Sequence, residues 1–136
     1  MDFNSASIFK TGVALGGGAV SYLYGGGSSL LGILLAFVVI DYVTGFVAAG
    51  TEGKLSSEVG LKGIAKKVFI FVMVAVAHLA DQAIGTEIIR DAAIFFYLAN
   101  ELLSITENSG RIGLPVPPFI TQAVAILKGK GEVSNE

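Results

Sequence analysis

The sequence predicts an all-α integral membrane protein: a small bundle of about four transmembrane helices, followed by a short C-terminal amphipathic helix. Hydrophobic residues make up 53% of the 136 residues and charged residues only 15%, whereas about a quarter of the residues in a soluble domain are charged. The mean hydropathy is +0.73. Four apolar stretches also approach the length of about 20 residues that a helix needs to cross a hydrocarbon core. Such a bundle would occupy the chain as a single membrane domain.

The first two spans are predicted at residues 8–27 and 29–49. The second contains the strongest apolar run of the chain, residues 30–40. The first is rich in glycine, and Gly12 and Gly16 have the G-x-x-x-G spacing that allows close helix packing in membranes. Glycine at this density also weakens a helix, so the first stretch is either a packing helix or a mobile one.

The third and fourth spans are predicted at residues 68–85 and 92–105, and the fourth is short. Four spans with both termini in the cytoplasm leave only Arg90, of the nine basic residues, in an external loop. This distribution agrees with the positive-inside rule and favours four spans over three. The sequence leaves open whether the first and fourth stretches cross fully in every state.

Two segments outside the spans are predicted to lie on the cytoplasmic side. Residues 51–67 form a loop in which Ser57 caps one or two amphipathic helical turns, so that three lysines face lipid headgroups. These membrane-surface candidates are Lys62, Lys66 and Lys67. Prolines precede the C-terminal amphipathic helix, predicted at 118–128, and residues 129–136 read as a disordered polar tail.

Composition excludes several classes of function. The net charge of −2 lacks the excess of lysine and arginine that nucleic-acid binding requires, so no nucleic acid is expected as a partner. The chain has one histidine and no cysteine, and it contains no nucleophile, zinc-binding or phosphate-binding motif. We therefore expect no catalytic residues, no metal, no cofactor and no enzymatic activity.

Polar side chains inside the predicted spans are the candidate functional residues, because a charged side chain at bilayer depth costs about 2.5–3.5 kcal/mol. Asp41 follows the apolar run 30–40 and shares a helical stripe with Thr44, which favours a functional role. His78 and Asp81 lie one turn apart, and a structural pair inside the bundle is slightly favoured over a proton-sensitive site. Asn100 and Glu101 could either line a pore or simply be solvated at the membrane interface, and the sequence favours neither role.

The predicted pore-lining or oligomer-contact residues are Asp41, Thr44, His78, Asp81, Asn100 and Glu101. The predicted helix-packing residues are Gly12, Gly16 and Gly45.

A series of short motifs between residues 30 and 127 carries a resemblance to a known family. In chain order they are DYVTG at 41–45, GKLSS at 53–57, GLKGIAKK at 60–67, AHLAD at 77–81, FFYLANE at 95–101, EN at 107–108 and GLPVP at 113–117. These motifs resemble the phage holin family that also includes clostridial toxin-secretion holins.

The resemblance implies a bacteriophage protein that forms a homo-oligomer in the host cytoplasmic membrane and, at a set time, opens lesions that release endolysin for host cell lysis. A secretion variant would release toxin instead. The implied partners are further copies of the chain, the lipid bilayer, and endolysin as cargo that is released without stable binding. Two alternatives stay open: a small ion channel or proton-linked transporter of fixed stoichiometry that uses His78, Asp81 and Glu101 as a relay, and a membrane adaptor for a cytoplasmic partner.

Overall fold

The computed structural model describes residues 4–25 and 29–132, and the regular structure in these two ranges is entirely helical. The helices are α1 (Ser5–Tyr24), α2 (Ser29–Thr51), α3 (Ser57–Ile84), α4 (Ile89–Ile112) and α5 (Pro118–Gly131). The all-α prediction is confirmed for this part of the chain. The end of the predicted first span at 26–27 and the last residues of the predicted tail, 133–136, lie outside the described residues.

Helices α2 and α3 are the two described helices that are long and apolar enough to cross a membrane. Most of their apolar side chains point outward: Val39 of α2 is 52% exposed and Phe69 of α3 is 63% exposed. A helix that presents apolar residues both to the bundle and to the outside is suited to a lipid environment. Spanning by α1 and α4 remains an expectation from the sequence.

Helix α3 begins well before the predicted third span. Ser56, rather than Ser57, is the N-cap, and its Oγ accepts a hydrogen bond of 3.2 Å from the Val59 amide. The helix then continues without interruption to Ile84, so residues 57–67 form its first turns instead of a loop with a separate amphipathic segment. No proline interrupts this stretch, and nothing else in it ends a helix.

The other helix boundaries also extend beyond the predicted spans. Helix α4 covers residues 89–112 instead of 92–105, and the C-cap residue that follows it is Gly113, whose φ of 93° suits glycine. Helix α5 starts at Pro118, because the fixed φ of proline is compatible with the first helical position. It ends at residue 131, slightly later than the predicted residue 128.

Helix α4 lies at the centre of the bundle and packs against α2, α3 and α5. The buried core is formed by apolar side chains of α2, α3 and α4, namely Leu34, Val38, Val74, Ile94 and Leu98. Helix α5 folds back along α4, with Val124 buried and Leu127 packed against the core. Helix α1 buries no residue and contacts α3, where the Tyr24 hydroxyl donates a 3.0 Å hydrogen bond to the Phe71 carbonyl.

Candidate functional site

Three helices meet at a group of buried charges that we call the ion cluster: Asp41 of α2, Lys67 of α3 and Glu101 of α4. The Lys67 ammonium donates a hydrogen bond of 2.7 Å to Glu101 Oε2 and a second one to Asp41 Oδ2. Asp41 is 4% exposed and Glu101 is 5% exposed. One cation therefore bridges two carboxylates that come from different helices, and each charge has an opposite charge beside it.

Asn108 of α4 also donates hydrogen bonds to Asp41. Its Nδ2 donates to Asp41 Oδ1 at 2.8 Å, and it also lies 3.1 Å from the Asp41 carbonyl oxygen and 3.0 Å from Thr44 Oγ1. The Thr44 hydroxyl in turn donates to the Ile40 carbonyl at 2.8 Å. Asn108 is 6% exposed, so its amide is part of the interior and not of the surface.

Helical spacing explains why these side chains converge. Asp41, Thr44 and Gly45 stand at i, i+3 and i+4 on α2 and therefore share one face, while Glu101 and Asn108 stand seven residues apart on one face of α4. A Cβ atom at Gly45 would lie 3.4 Å from Asn108 Nδ2. Gly45 therefore faces the Asn108 side chain beside the ion cluster.

Asp81 occupies a second buried site, at the turn between α3 and α4, which we call the turn clasp. One oxygen of its carboxylate accepts hydrogen bonds from Thr86 Oγ1 at 2.6 Å and the Ile89 amide at 2.9 Å. The other oxygen accepts a bond of 2.7 Å from the Arg90 amide. Because free amides at the start of a helix attract negative charge, Asp81 fixes the beginning of α4.

His78 does not pair with Asp81 through these bonds. Its Nε2 lies 3.1 Å from Gln82 Nε2, one turn further along α3. A Cβ atom at Gly25 would lie 2.8 Å from His78 Cε1, so the end of α1 rests against the imidazole. The hydrogen bonds of His78, Asp81 and Glu101 thus go to three separate sets of partners.

The remaining predicted residues lie apart from the ion cluster. Asn100 is exposed on α4, although it directly precedes Glu101 in the chain. Lys62 and Lys66 are exposed on α3, while the Lys67 side chain is only 19% exposed and points to the ion cluster, unlike the predicted headgroup-facing position. Successive residues on a helix are about 100° apart, so Lys66 and Lys67 face different directions.

Gly12 and Gly16 lie on the exposed helix α1. A Cβ atom at either position would meet nothing within 4 Å, so neither glycine packs against another helix within this chain. Their predicted role in helix packing therefore remains an expectation that concerns other chains.

An exposed ion pair links the ends of α2 and α4 beside the ion cluster. Arg111 Nε donates a 2.5 Å hydrogen bond to Glu52 Oε1, and Lys54 lies 3.4 Å from the other carboxylate oxygen. The hydrogen bond from Arg111 lowers the pKa of Glu52 below its usual value. Arg111 Nη1 also lies 3.4 Å from Asn108 Oδ1, which connects this surface pair to the interior.

Sequence reasoning missed the inward position of Lys67 and the role of Asn108. Two signals were available: Lys67 is the last cation before the apolar part of α3, and Asn108 lies two helical turns after Glu101. The assembled cluster can hold charge and join helices. The described residues include no group of three side chains suited to holding a metal ion.

Comparison with known sequences assigns the family. A sequence model of the bacteriophage holin family matches residues 18–129, so the chain belongs to this family, whose members are non-enzymatic membrane proteins. The predicted resemblance and the expectation of a non-enzymatic protein are both confirmed by this match.

Relatives with high similarity occur in bacteria and in a phage. An uncharacterized protein of Halalkalibacterium halodurans is 54% identical over 129 residues, which cover 90% of this chain and 96% of the relative. An uncharacterized 14.9 kDa protein of Clostridium perfringens is 34% identical over 129 residues, covering 93% and 98% of the two chains. A probable holin of Bacillus phage phi105 is 32% identical over 119 residues, or 87% of each chain. No solved structure matches the sequence.

Proposed function

We propose that this protein oligomerises in the cytoplasmic membrane of a bacterial host and forms timed lesions that release endolysin, or toxin in a secretion variant. The observation that best supports the proposal is the ion cluster, because its charges are satisfied only while α2, α3 and α4 stay together. Family membership and the name of the phage phi105 relative agree with a holin role.

The ion cluster acts in this proposal as a lock on the monomer. Separating the helices in lipid would leave the charges of Asp41, Lys67 and Glu101 without their partners beside the hydrocarbon layer, where an unpaired charge is disfavoured. A single copy therefore stays closed. When several copies associate around water, the same charges become hydrated and the cost of opening falls, so lesion formation depends steeply on the amount of protein in the membrane.

A narrow exposed stripe on α4 offers a surface for the association of copies. Its residues recur at alternating intervals of four and three positions, the spacing of a seam between packed helices, and they are Phe96, Asn100, Leu103, Glu107 and Gly110. If α4 spans the membrane, lipid cannot supply hydrogen-bond partners for the Asn100 and Glu107 side chains. A second copy or a water-filled lumen can supply them. The stripe therefore links the predicted role of Asn100 to oligomer contacts.

The test is inducible expression in a bacterium with and without a co-expressed cytoplasmic muralytic enzyme, following optical density and membrane potential with time. We expect abrupt, delayed lysis only when the enzyme is present. Gradual depolarisation with the enzyme retained inside the cell would contradict the proposal and favour the small channel or transporter.

Variants of the ion cluster sharpen the test. Asp41→Asn keeps the shape of the side chain but leaves Lys67 with one carboxylate, so we expect the onset of lysis to change at equal protein levels. Exchanging the two charges, as Asp41→Lys with Lys67→Asp, is expected to bring the onset closer to normal than either single variant does. Normal onset in both Asp41→Asn and Asp41→Ala would contradict the role of this residue.

A further inference from the structure

Helix α5 runs antiparallel to α4 and extends past the level of the ion cluster. Leu127 packs against the buried core, and Gly131, the last residue of α5, lies against Phe96 of α4. A Cβ atom at Gly131 would lie 2.9 Å from the Phe96 backbone nitrogen, so the backbones of the two helices are in direct contact there. Phe96 is five residues from Glu101 along α4, which places the end of α5 about 7 Å beyond the ion cluster.

The neighbours of Gly131 on α3 indicate the depth of this end in a membrane. Gly131 borders a hollow whose other lining residues include Met73 and Val76 of α3. The apolar part of α3 begins at Val68, so Met73 lies about 7 Å inside it. Helix α3 is one of the two described helices that are long and apolar enough to cross a membrane. A bilayer crossed by α3 therefore also contains the last turns of α5.

The sides of α5 differ in chemical character. The inner side consists of buried or half-buried residues at helical spacing, namely Ile120, Val124, Leu127 and Gly131. Beside it runs an exposed row that we call the α5 polar stripe, whose residues recur at intervals of four and three positions: Thr121, Ala125, Lys128 and Glu132. An apolar flank on a third side contains Phe119 and Ile126, which are 65% and 61% exposed.

The charges of the α5 polar stripe are not neutralised within the bundle. Neither Lys128 nor Glu132 forms an ion pair with any residue that the structure describes. Lys130 lies outside the stripe, with its ammonium 5.6 Å from the centre of the Phe95 ring. Lipid offers no hydrogen-bond partners to such groups, so at bilayer depth the stripe requires water or a second copy.

The composition of the stripe favours water as its partner. The stripe carries two charges and no large apolar side chain, whereas helices associate in membranes mainly through close van der Waals packing. The exposed stripe of α4 does contain large apolar side chains, Phe96 and Leu103, and is the surface proposed above for the association of copies. The two stripes therefore suit different surroundings.

We propose that the last two turns of α5 enter the bilayer beside α4 and that the α5 polar stripe faces the water of the lesion, with Lys128 and Glu132 as lumen-lining residues. In a single copy this stripe meets lipid, and association around water removes the cost of its charges. The inference rests on the proposed lesion. It differs from the predicted position of the C-terminal helix on the cytoplasmic side.

Single cysteines report the surroundings of each side of α5, because the sequence contains no cysteine. The variants are Lys128→Cys and Glu132→Cys in the stripe and Ile126→Cys in the apolar flank. Lys54→Cys, in the turn between α2 and α3, is the cytoplasmic control. Inverted membrane vesicles are prepared from cells before and after the onset of lesion formation and treated with a charged maleimide that does not cross membranes. The thiolate is the reactive form of cysteine, so a thiol held in hydrocarbon does not react.

The expected result is a change in reactivity that depends on the side of the helix. Before the onset we expect Lys54→Cys to react and the three α5 variants to be protected. After the onset, Lys128→Cys and Glu132→Cys should react as well, whereas Ile126→Cys should stay protected because its side chain faces lipid. This pattern distinguishes a stripe that faces water from a helix that leaves the membrane as a whole.

Two leucine variants test how α5 is held at this depth. Gly131→Leu cannot keep the backbone contact with Phe96 and should lift the end of α5 from α4, so that Lys128→Cys in the same chain already reacts before the onset. Gly129→Leu is the matched control, because a Cβ atom at Gly129 meets nothing within 4 Å. In this second background Lys128→Cys should remain protected before the onset.

Three results would overturn the proposal. Reaction of Lys128→Cys before the onset, without a leucine variant, would place α5 on the membrane surface. Protection of both stripe positions after the onset, with Lys54→Cys reactive, would show that lipid or a second copy covers the stripe. Equal reaction of Ile126→Cys and Lys128→Cys after the onset would show that α5 leaves the bundle. Vesicles taken before the onset contain no lesion and lysis is recorded separately, so failure of insertion and failure of the proposed function are distinguishable.

Discussion

The two buried acidic sites of this protein differ in the reach of their contacts. The hydrogen bonds within the ion cluster, and the one from Asn108 to it, join residues that are 26, 34 and 67 positions apart, and they connect three helices. Those of the turn clasp join Asp81 to residues 5, 8 and 9 positions away. Both sites bury a carboxylate almost completely, yet only the ion cluster depends on the arrangement of the whole bundle.

The difference in partners indicates which site can act as a switch. Asp81 is stabilised by a hydroxyl and two backbone amides of the adjacent turn, and these partners stay nearby if the helices move apart. Asp41 and Glu101 rely on the ammonium of Lys67, which leaves when α3 moves. We therefore propose that the turn clasp serves folding and that the ion cluster controls the proposed transition between closed and open bundles.

The largest effect is expected from Lys67→Met. This substitution leaves two buried carboxylates without their cation, and breaking a buried ion pair on one side destabilises a protein by about 3–5 kcal/mol. Denaturant unfolding of the purified protein in micelles measures the change. The control is Lys66→Met on the next residue, where an exposed substitution is expected to change stability by less than about 0.5 kcal/mol. Equal stability of the two variants would show that the ion cluster contributes nothing to the closed bundle.

A smaller effect is expected from Asp81→Asn in the turn clasp. The new amide group can accept at only one atom, so at least one buried amide at the start of α4 loses its acceptor, which costs about 1–3 kcal/mol. Hydrogen exchange should show faster opening at residues 86–90. Faster exchange throughout α2 as well would contradict the local character of this site.

Asn108→Ala tests the uncharged side chain that supports the ion cluster. It removes a buried amide that donates to Asp41, and we expect a loss of about 1–2 kcal/mol in unfolding free energy. Asn100→Ala makes the same chemical change on the exposed side of the same helix and serves as the control, with little effect on stability. If the two variants unfold alike, Asn108 does not support the ion cluster.

The smallest effect belongs to the exposed pair of Glu52 and Arg111. Arg111 lowers the pKa of Glu52 in the folded protein, so the stabilisation is complete above the usual glutamate pKa of 4.5 and is lost as the pH falls through the lowered value. The difference in melting temperature between the unmodified protein and Glu52→Gln should therefore be small at pH 7 and vanish in acid. A melting-temperature difference that grows as the pH falls would contradict the lowered pKa of Glu52.

Local patterns in the sequence were sufficient for most of the helices but not for their contacts. The apolar run of α2 and the proline at the start of α5 indicated those elements because each depends on neighbouring residues alone. The extension of α3 through residues 57–67 was missed because the apolar run that defined the third span begins only at Val68, whereas the helix already begins after the N-cap Ser56.

The candidate site could be predicted only in part for the same reason. Asp41 and Glu101 were recognisable because an acidic residue inside an apolar span needs a partner. The identity of that partner, Lys67, depends on the rotation of α3 relative to two other helices. Periodicity within one helix does not determine this rotation, so Lys67 was expected at the membrane surface.

The most direct test compares the onset of lysis in Asp41→Asn and Asp81→Asn, with endolysin co-expressed and with the amount of each protein in the membrane measured and matched. Both substitutions remove one buried negative charge, but only the first weakens the contact among three helices. We predict a changed onset for Asp41→Asn and a normal onset for Asp81→Asn. A normal onset for Asp41→Asn, or the same shift in both variants, would contradict the assignment of the ion cluster as the lock that opens.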